Sequence, residues 1–567
     1  MAAHLSRDSY SSVLRSATRI CVVVGVAVSM LFAGPLGQGS TAATAGATVN
    51  WESYGSDPGG MHYSSATQIT PGTAARLQLA WKFALSNTYG TRIESTPIVA
   101  GGRLFVTGAD RYVYALDPVS GRLLWRTDAA PGKFGFTNRG VAYGDGKVYV
   151  ATGDVQLVAL NAASGAVVWR QQIADVPSGS GLSETMAPLY DRGRVIIGIT
   201  LNEQAGRGFV ASYDASTGRQ IWRFLTVPGP HDPGGSTWPA GDAYLTGGGA
   251  VWMTPVADPA LNLIYVNVGN PVPDYLGFTR AGANLYTDSI VALHADTGTL
   301  AWYFQEVHHD LWDYDPSSPA VLLTLYQGKT PVPALIEAGK TGYLYVLDRR
   351  TGKPLVPTPE KPVPVNLTFQ HPSPTQPEPQ NEPFSPQCPA KGLFSPEGCI
   401  FTPPDFTPTL IAPGANGGAS WAPVAYSPLA GLAYICANEQ PFLEMATAAA
   451  GDANATLPSA PIKGQLVGYD VAKGKIAWSQ KMSRVCFGGS AVTAGDVVFT
   501  GESTGKFDAR DAATGRLLWQ YTAPAGVDAA PSVYVADGRE YVAVDVGGNS
   551  IVDVPHQNTL EVFALPK

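Results

Sequence analysis

Charge is scarce in this chain. Only 14% of its 567 residues are charged and the net charge is −8, which argues against nucleic acid as the main partner. Cysteine is sparse too, with five in all and none in a CxxCH, so no c-type haem is carried on this chain. Long apolar runs are nearly missing. The one conspicuous run, residues 20–32, is shorter than the about 20 residues a bilayer span needs, so no stable membrane span is expected in the mature chain. Arg7, Arg15 and Arg19 precede that run and small residues follow it up to Ala47, the order of a secretory signal. Residues 1–47 are therefore read as a signal peptide, with a single membrane anchor as the alternative. Residues 48–567 are read as an exported chain, periplasmic or extracellular. Cys21 has no lipobox around it and would leave with the signal.

Turn residues are abundant instead. The 63 Gly, 46 Pro and 45% apolar content favour a β-rich body with many loops. In an oxidising compartment, Cys388 and Cys399, which flank a short Pro-rich loop, suit a local disulfide. Cys436 and Cys486 lie in apolar, strand-like contexts and read either as two buried thiols or as a bridge.

One unit recurs along the chain. It is a strand of alternating apolar residues, an Asp or Asn, a short turn with Gly, and a second strand ending in Trp. YVYALDPVSGRLLW ends at Trp125, QLVALNAASGAVVW at Trp169, FVASYDASTGRQIW at Trp222 and SIVALHADTGTLAW at Trp302. YLYVLDRRTGKPL ends at Leu355 without a Trp; QLVGYDVAKGKIAW ends at Trp478 and KFDARDAATGRLLW at Trp519. Period-two alternation predicts half-buried strands. The Asp accepts turn N–H groups, the Gly supplies positive φ, and the Trp fills the space between neighbouring sheets. Such hairpins cannot bury both faces alone, and radial stacking into a β-propeller protects their edges. LEVFALP near Phe563 and LQLAWKF at Trp81 make an eighth, split copy. The fold is thus read as an all-β, eight-bladed propeller whose termini share one blade, with a long loop or lid inserted at residues 354–413. A β-sandwich array would explain neither the split copy nor the regular Trp.

A second pattern occurs once. Residues 308–315, HHDLWDYD, hold five His and Asp side chains in eight residues. Together with the Trp-ended repeats, this stretch resembles the pyrroloquinoline quinone (PQQ)-dependent alcohol dehydrogenases, which include methanol and ethanol dehydrogenases. The likeness runs from about Trp51 to the C-terminus. It implies an alcohol, or a related aldehyde or polyol, as substrate and PQQ as the bound cofactor. An external acceptor such as a cytochrome c would take the electrons.

The resemblance also implies site residues. Asp313 matches the family's catalytic base, a carboxylate that takes the hydroxyl proton. Asp315 lies two residues on, and in an extended segment both carboxylates would face one metal. An acid at this position marks the lanthanide-using members, whereas calcium enzymes usually have a small residue; a structural role for Asp315 is the alternative. Glu203 and Asn270 match metal ligands, so Glu203, Asn270, Asp313 and Asp315 form an oxygen-rich set suited to Ca2+ or a lanthanide ion and unlike a zinc site. Arg139 and Lys340 match cationic contacts of the quinone. Glu94, Thr185 and Thr200 match polar contacts, and Trp252, outside the repeat phase, matches the Trp against the ring. Ser420 stands where several members have Asn, and Ala250 where some have Thr. The adjacent cysteines that cover the quinone in the best-known members are missing. Residues 132–138 read GKFGFTN there, with Phe134 and Phe136 as the aromatic side chains at hand. The rival readings are a non-catalytic propeller acting as an assembly scaffold, and a quinone-free hydrolase or lyase. The scaffold needs none of these site residues, and no acid–base set of comparable spacing marks the hydrolase or lyase.

Overall fold

Each repeat folds as the hairpin its alternation predicts. The computed structural model describes residues 48–85, 92–108, 110–131, 137–175, 182–201, 206–365, 368–447, 454–549 and 557–567. The signal segment, Glu203, Phe134 and Phe136 lie outside the described residues. Among those residues ten sheets form, and eight of them follow the repeats.

Blades one to four are four-stranded antiparallel meanders. In the fourth, Val256–Asp258 pairs with Leu263–Val268, which pairs with Ser289–His294, which pairs with the Trp-bearing Leu300–Gln305. The sixth has the same order, with Lys475–Met482 at its outer edge, and the seventh gains Tyr63–Ser64 as a parallel fifth strand. In the eighth, Gln78–Ala84 from near the start of the folded chain pairs with Thr559–Ala564 from its end. The split copy is therefore one blade made of both chain ends.

The joints between blades explain the motif. Trp125, Trp169, Trp222, Trp302 and Trp478 each donate their indole N–H to a backbone carbonyl in the next blade's turn, on Ala162, Ala215, Ala295, Arg349 and Ala512 respectively, at 3.0–3.2 Å. The turn glycine of that next blade lies flat under the ring. At Gly298 φ is +70° and an added Cβ would sit 2.5 Å from Trp222 Cδ2, so only glycine meets both demands. Trp81 of the eighth blade packs in the same way on Gly121 of the first. Each sheet thus docks on its successor and the last docks on the first, which closes a ring.

The fifth blade is the exception. It has three strands, Val321–Gln327, Thr330–Ala338 and Leu344–Asp348, because the chain leaves after Leu355 instead of returning with a Trp. The insertion supplies the missing joint. Glu382 accepts from the Ile476 N–H at 3.0 Å, and its carbonyl accepts from the Tyr469 hydroxyl at 2.7 Å. The segment is also more structured than a loop. Glu360–Pro362 pairs with Thr375–Pro377, while Glu397–Gly398 and Thr409–Ile411 join Phe442–Glu444 and Asn454–Thr456, which come from the connection between two strands of the sixth blade, in a separate sheet. Both cysteine pairs are disulfides, Cys388–Cys399 within the insertion and Cys436–Cys486 beside the seventh blade. No helix among the described residues is long and apolar enough to cross a membrane.

Candidate active site at one mouth of the ring

Strand order decides where the candidate residues gather. The first strand of each blade is the buried inner one and the Trp strand is the exposed outer one. Residues just before a first strand and just after a second strand therefore emerge at the same end of the ring. Glu94, Arg139, Thr185, Trp252, Asp313, Asp315 and Ser420 precede first strands. Thr200, Asn270 and Lys340 follow second strands. All ten belong to one mouth.

Two connected clusters form there. In the first, Arg139 pairs with Glu94 at 2.8 Å and donates to Thr185 Oγ1 at 2.7 Å; Thr185 and Thr200 hydroxyls meet at 3.1 Å. Asn549 donates to the other Glu94 oxygen at 3.1 Å. The Arg139 guanidinium lies 5.1 Å from the Trp252 ring centre. In the second, Lys340 Nζ lies 2.6 Å from Asp313 Oδ1 and 2.8 Å from Asp315 Oδ1. Trp252 joins the clusters by donating its indole N–H to Asp315 Oδ2 at 2.7 Å.

The HHDLWDYD stretch is not extended as expected. Asp313 has φ +60°, in the left-handed region. Asp310 imposes this turn, its two oxygens accepting the N–H groups of Trp312 and Tyr314 at 3.0 Å each. Trp312 is anchored through its indole to the Thr402 carbonyl at 2.7 Å, and the Tyr314 hydroxyl to that of Pro413. The two carboxylates still converge, because Lys340 draws both. Their exposures differ, with side chains 15% exposed at Asp313 and 1% at Asp315, so Asp313 is the one a substrate can reach.

Burial dominates the electrostatics. It opposes the Lys340 charge, but Asp313 and Asp315 outweigh it and hold the ammonium above its usual pKa. It lifts Asp310 to about 6 against the pull of the two N–H donors. Burial, then the charge of Glu337, pushes Glu306 well up; burial, with the charge of Asp315, does the same to Glu337, and burial with Asp310 and Asp315 to Asp288. Glu184 rises to about 8 through burial, although its Oε1 accepts two backbone N–H groups.

These buried acids were not picked out from sequence, apart from the Asp of the HHD run. Nor was Arg280, which donates to the Pro273 carbonyl at 3.0 Å, the Asp274 carbonyl at 2.8 Å and the Asp310 carbonyl. Burial lowers its pKa to about 10. The signal for it was a lone Arg in the loop between Asn270 and Ser289, which no periodicity singles out. Asn270 is buried and donates to Asp274 at 3.0 Å. It follows Gly269, where an added Cβ would lie 3.3 Å from both Asp315 Oδ2 and Trp252 Nε1. Ser420 is buried, and the residues before it, Gly418 and Ala419, bond to the Lys340 and Gly339 carbonyls.

The donor chemistry fits an anionic, flat cofactor beside a hard cation. Arg139 and Lys340 offer buried positive charge and Trp252 a ring face. Asn270, Asp313 and Asp315 offer oxygen without His or Cys. Both Asp315 oxygens are engaged by Lys340 and Trp252, so metal ligation would use its remaining lone pairs.

Known proteins share this fold. The PQQ family of glucose, ethanol and alcohol dehydrogenase β-propeller domains matches residues 51–462 and 457–542. The quinohemoprotein alcohol dehydrogenase of Comamonas testosteroni is 33% identical, over 94% of this chain and 79% of its own length. Its crystal structure superposes with a TM-score of 0.78 at 32% identity, covering 91% of this chain and 80% of that one. The 1-butanol dehydrogenase (cytochrome c) of Thauera butanivorans is 31% identical over 88% of this chain and 75% of its own. A europium-containing methanol dehydrogenase superposes with a TM-score of 0.78 at 27% identity, over 91% of this chain and 98% of that one. With its closed ring of blades and these matches over most of its length, the chain belongs to the PQQ-dependent alcohol dehydrogenase family.

Proposed function

We propose that the chain is an exported dehydrogenase that oxidises the hydroxyl of an alcohol to a carbonyl, with Asp313 as the base. The observation that carries this is the Asp313 carboxylate, reachable at the mouth and fastened by Lys340 at 2.6 Å in an otherwise buried site. Lys340 holds Oδ1 and so orients the carboxylate towards an incoming hydroxyl, whose proton it accepts. Asp310 and Arg280 hold the turn that presents it. Asp315 keeps Lys340 and Trp252 in place. Arg139, Glu94, Thr185, Thr200, Lys340, Trp252 and Ser420 would hold PQQ, and Asn270, Asp313 and Asp315, with Glu203, would hold Ca2+ or a lanthanide ion. When bound, PQQ and its cation supply the electron-accepting carbonyl and its polarisation.

The chain has no CxxCH, and its Thauera relative is named for cytochrome c. A separate cytochrome c or similar carrier therefore takes the electrons. Export follows from the basic, apolar and small-residue order of residues 1–47, the mature propeller being residues 48–567. A scaffold propeller has no use for the Lys340 bridge between two carboxylates.

The test uses signal-free protein stripped of metal and cofactor, then given PQQ with Ca2+ or La3+ and a panel of alcohols, with dye reduction as readout. Turnover that needs PQQ and is lost in Asp313→Ala supports the reading, and the preferred ion decides the role of Asp315. Failure to bind PQQ with either ion overturns it.

A further inference from the structure

The two disulfides lie in opposite surroundings. Cys388 and Cys399 are exposed and 11 residues apart in the insertion, whereas Cys436 and Cys486 are buried and 50 residues apart. The buried bridge is one half of a double grip. Cys436 and Asn438 lie two residues apart on the strand Leu432–Glu439 and so face the same side. Cys436 bonds the Cys486 sulfur, and Asn438 Oδ1 accepts from the Cys486 N–H at 2.8 Å. The neighbouring strand makes room for this. Gly464, paired with Asn438, would place an added Cβ 2.5 Å from the Cys486 nitrogen and 2.7 Å from the Arg484 carbonyl oxygen, so the loop backbone lies directly on the sheet.

The grip holds the residue that follows. Phe487 comes shortly before Ser490–Thr493, the first strand of the seventh blade, and so belongs to the mouth. Trp421 and Trp252 precede the first strands of the sixth and fourth blades in the same way. Phe487 stacks on Trp421 with ring centres 4.1 Å apart, and the pair packs with Val485 and Met253 against Trp252. Trp421 directly follows Ser420. The tryptophans of the wall, such as Trp222, are pinned by an indole hydrogen bond to the next blade. The buried Trp421 indole N–H has no partner among the described residues, so packing alone keeps this ring in place, and the ring stacked on it is that of Phe487.

We propose that Cys436, Cys486 and Asn438 are positioning residues for the cofactor. Their joint hold on the loop fixes the Phe487–Trp421 stack, and the stack sets Trp252 and Ser420 where a flat quinone needs them. The inference rests on the PQQ reading of this mouth and adds what holds its platform. A site of this kind depends on side chains locked from behind, and a displacement of about 1 Å there can cost about a hundredfold. A disulfide that merely stiffened the chain would act through the unfolded state and leave the affinity for the cofactor as it was. That contrast sets the test.

The test is titration of PQQ, with Ca2+ or La3+, into the stripped, signal-free protein, followed by quenching of tryptophan fluorescence, with Tm measured alongside. Cys436→Ala with Cys486→Ala is expected to weaken PQQ binding about tenfold or more, besides lowering Tm. Cys388→Ala with Cys399→Ala, the control, is expected to lower Tm and to bind PQQ as the wild type does. Asn438→Ala, with the disulfide intact, weakens binding by a smaller factor, and Asn438→Asp, which still accepts from the Cys486 N–H, restores it. Phe487→Leu reproduces the loss with both disulfides formed. An unchanged PQQ affinity in Cys436→Ala with Cys486→Ala overturns the proposal and leaves the dehydrogenase reading intact. So does an equal loss of affinity in the control. If that double variant fails to fold, Asn438→Ala and Phe487→Leu decide in its place. If the wild type binds no PQQ, both readings fall together.

Discussion

The wall of the ring and its mouth are built on opposite terms. In the wall one joint is copied from blade to blade. A Trp covers a glycine, its N–H meets a carbonyl, and the turn's Asp accepts backbone donors, as Asp117 does from Val119 and Ser120 at 3.0 and 2.9 Å. Those groups are matched locally. At the mouth nothing repeats. Asp288, Glu306 and Glu337 are buried with oxygens that lack hydrogen-bond donors among the described residues, and Asp313 sits in a left-handed conformation. Stability resides in the repeated part, and the unrepeated part carries unmatched charge and backbone strain that serve chemistry.

The comparison can be broken at either end. The largest effect is expected at the mouth, where Asp313→Asn keeps a residue that tolerates positive φ but removes the base. Turnover should fall by about two to four orders of magnitude while Tm moves less than in any Trp variant of the wall. A Tm loss as large as theirs would mean that Asp313 is structural. In the wall, Trp222→Ala should cost about 3–5 kcal/mol, read by denaturant unfolding of the loaded protein, with kcat of the folded fraction retained. Gly298→Ala attacks the same joint from the other side through the clash with Trp222 and the strained φ, at about 1–3 kcal/mol. The two should be sub-additive, since they share one contact.

The smallest effect separates the regions by pH. Glu184 keeps its proton up to about 8 in the folded chain, whereas unfolded it loses the proton near 4.5. Between those values the folded state holds more protons, so its contribution to stability is present at low pH and declines as pH rises towards 8. Glu184→Gln, which keeps the oxygen that accepts from Thr185 and Met186, should flatten that decline in a Tm-against-pH series. An unchanged slope would show that Glu184 ionises normally.

The same contrast explains what could be read beforehand. Each joint needs an alternating strand, an Asp or Asn, a positive-φ Gly and a Trp at fixed spacing, so the ring and its shared closing blade were visible in the string. The missing Trp at Leu355 was visible too, and the structure has three strands there instead of four. The mouth was visible only where a residue fell inside a family motif, as with Asp313, Lys340, Arg139 and Trp252. The left-handed turn at Asp313 was missed because it is imposed by the Asp310 carboxylate, whose two bonds no periodicity announces. Arg280 was missed because its neighbours are brought together by a loop. The small sheets of the insertion were read as loop because their strands are only two or three residues long, too short to alternate.

The shared blade also sets an order of events. Gln78–Ala84 is made long before its pairing partner Thr559–Ala564. Until then the early strand has an unpaired edge, and the gap beside Gly121 that Trp81 must fill stays unsealed. Contacts so distant in sequence form slowly. The circle therefore cannot be completed before Thr559–Ala564 has been made, and everything that depends on its geometry, the Arg139 and Glu94 pair next to that seam included, becomes dependable only then. A chain shortened by a single strand at its end would keep every hairpin motif but the last and lose the seam that makes them one molecule.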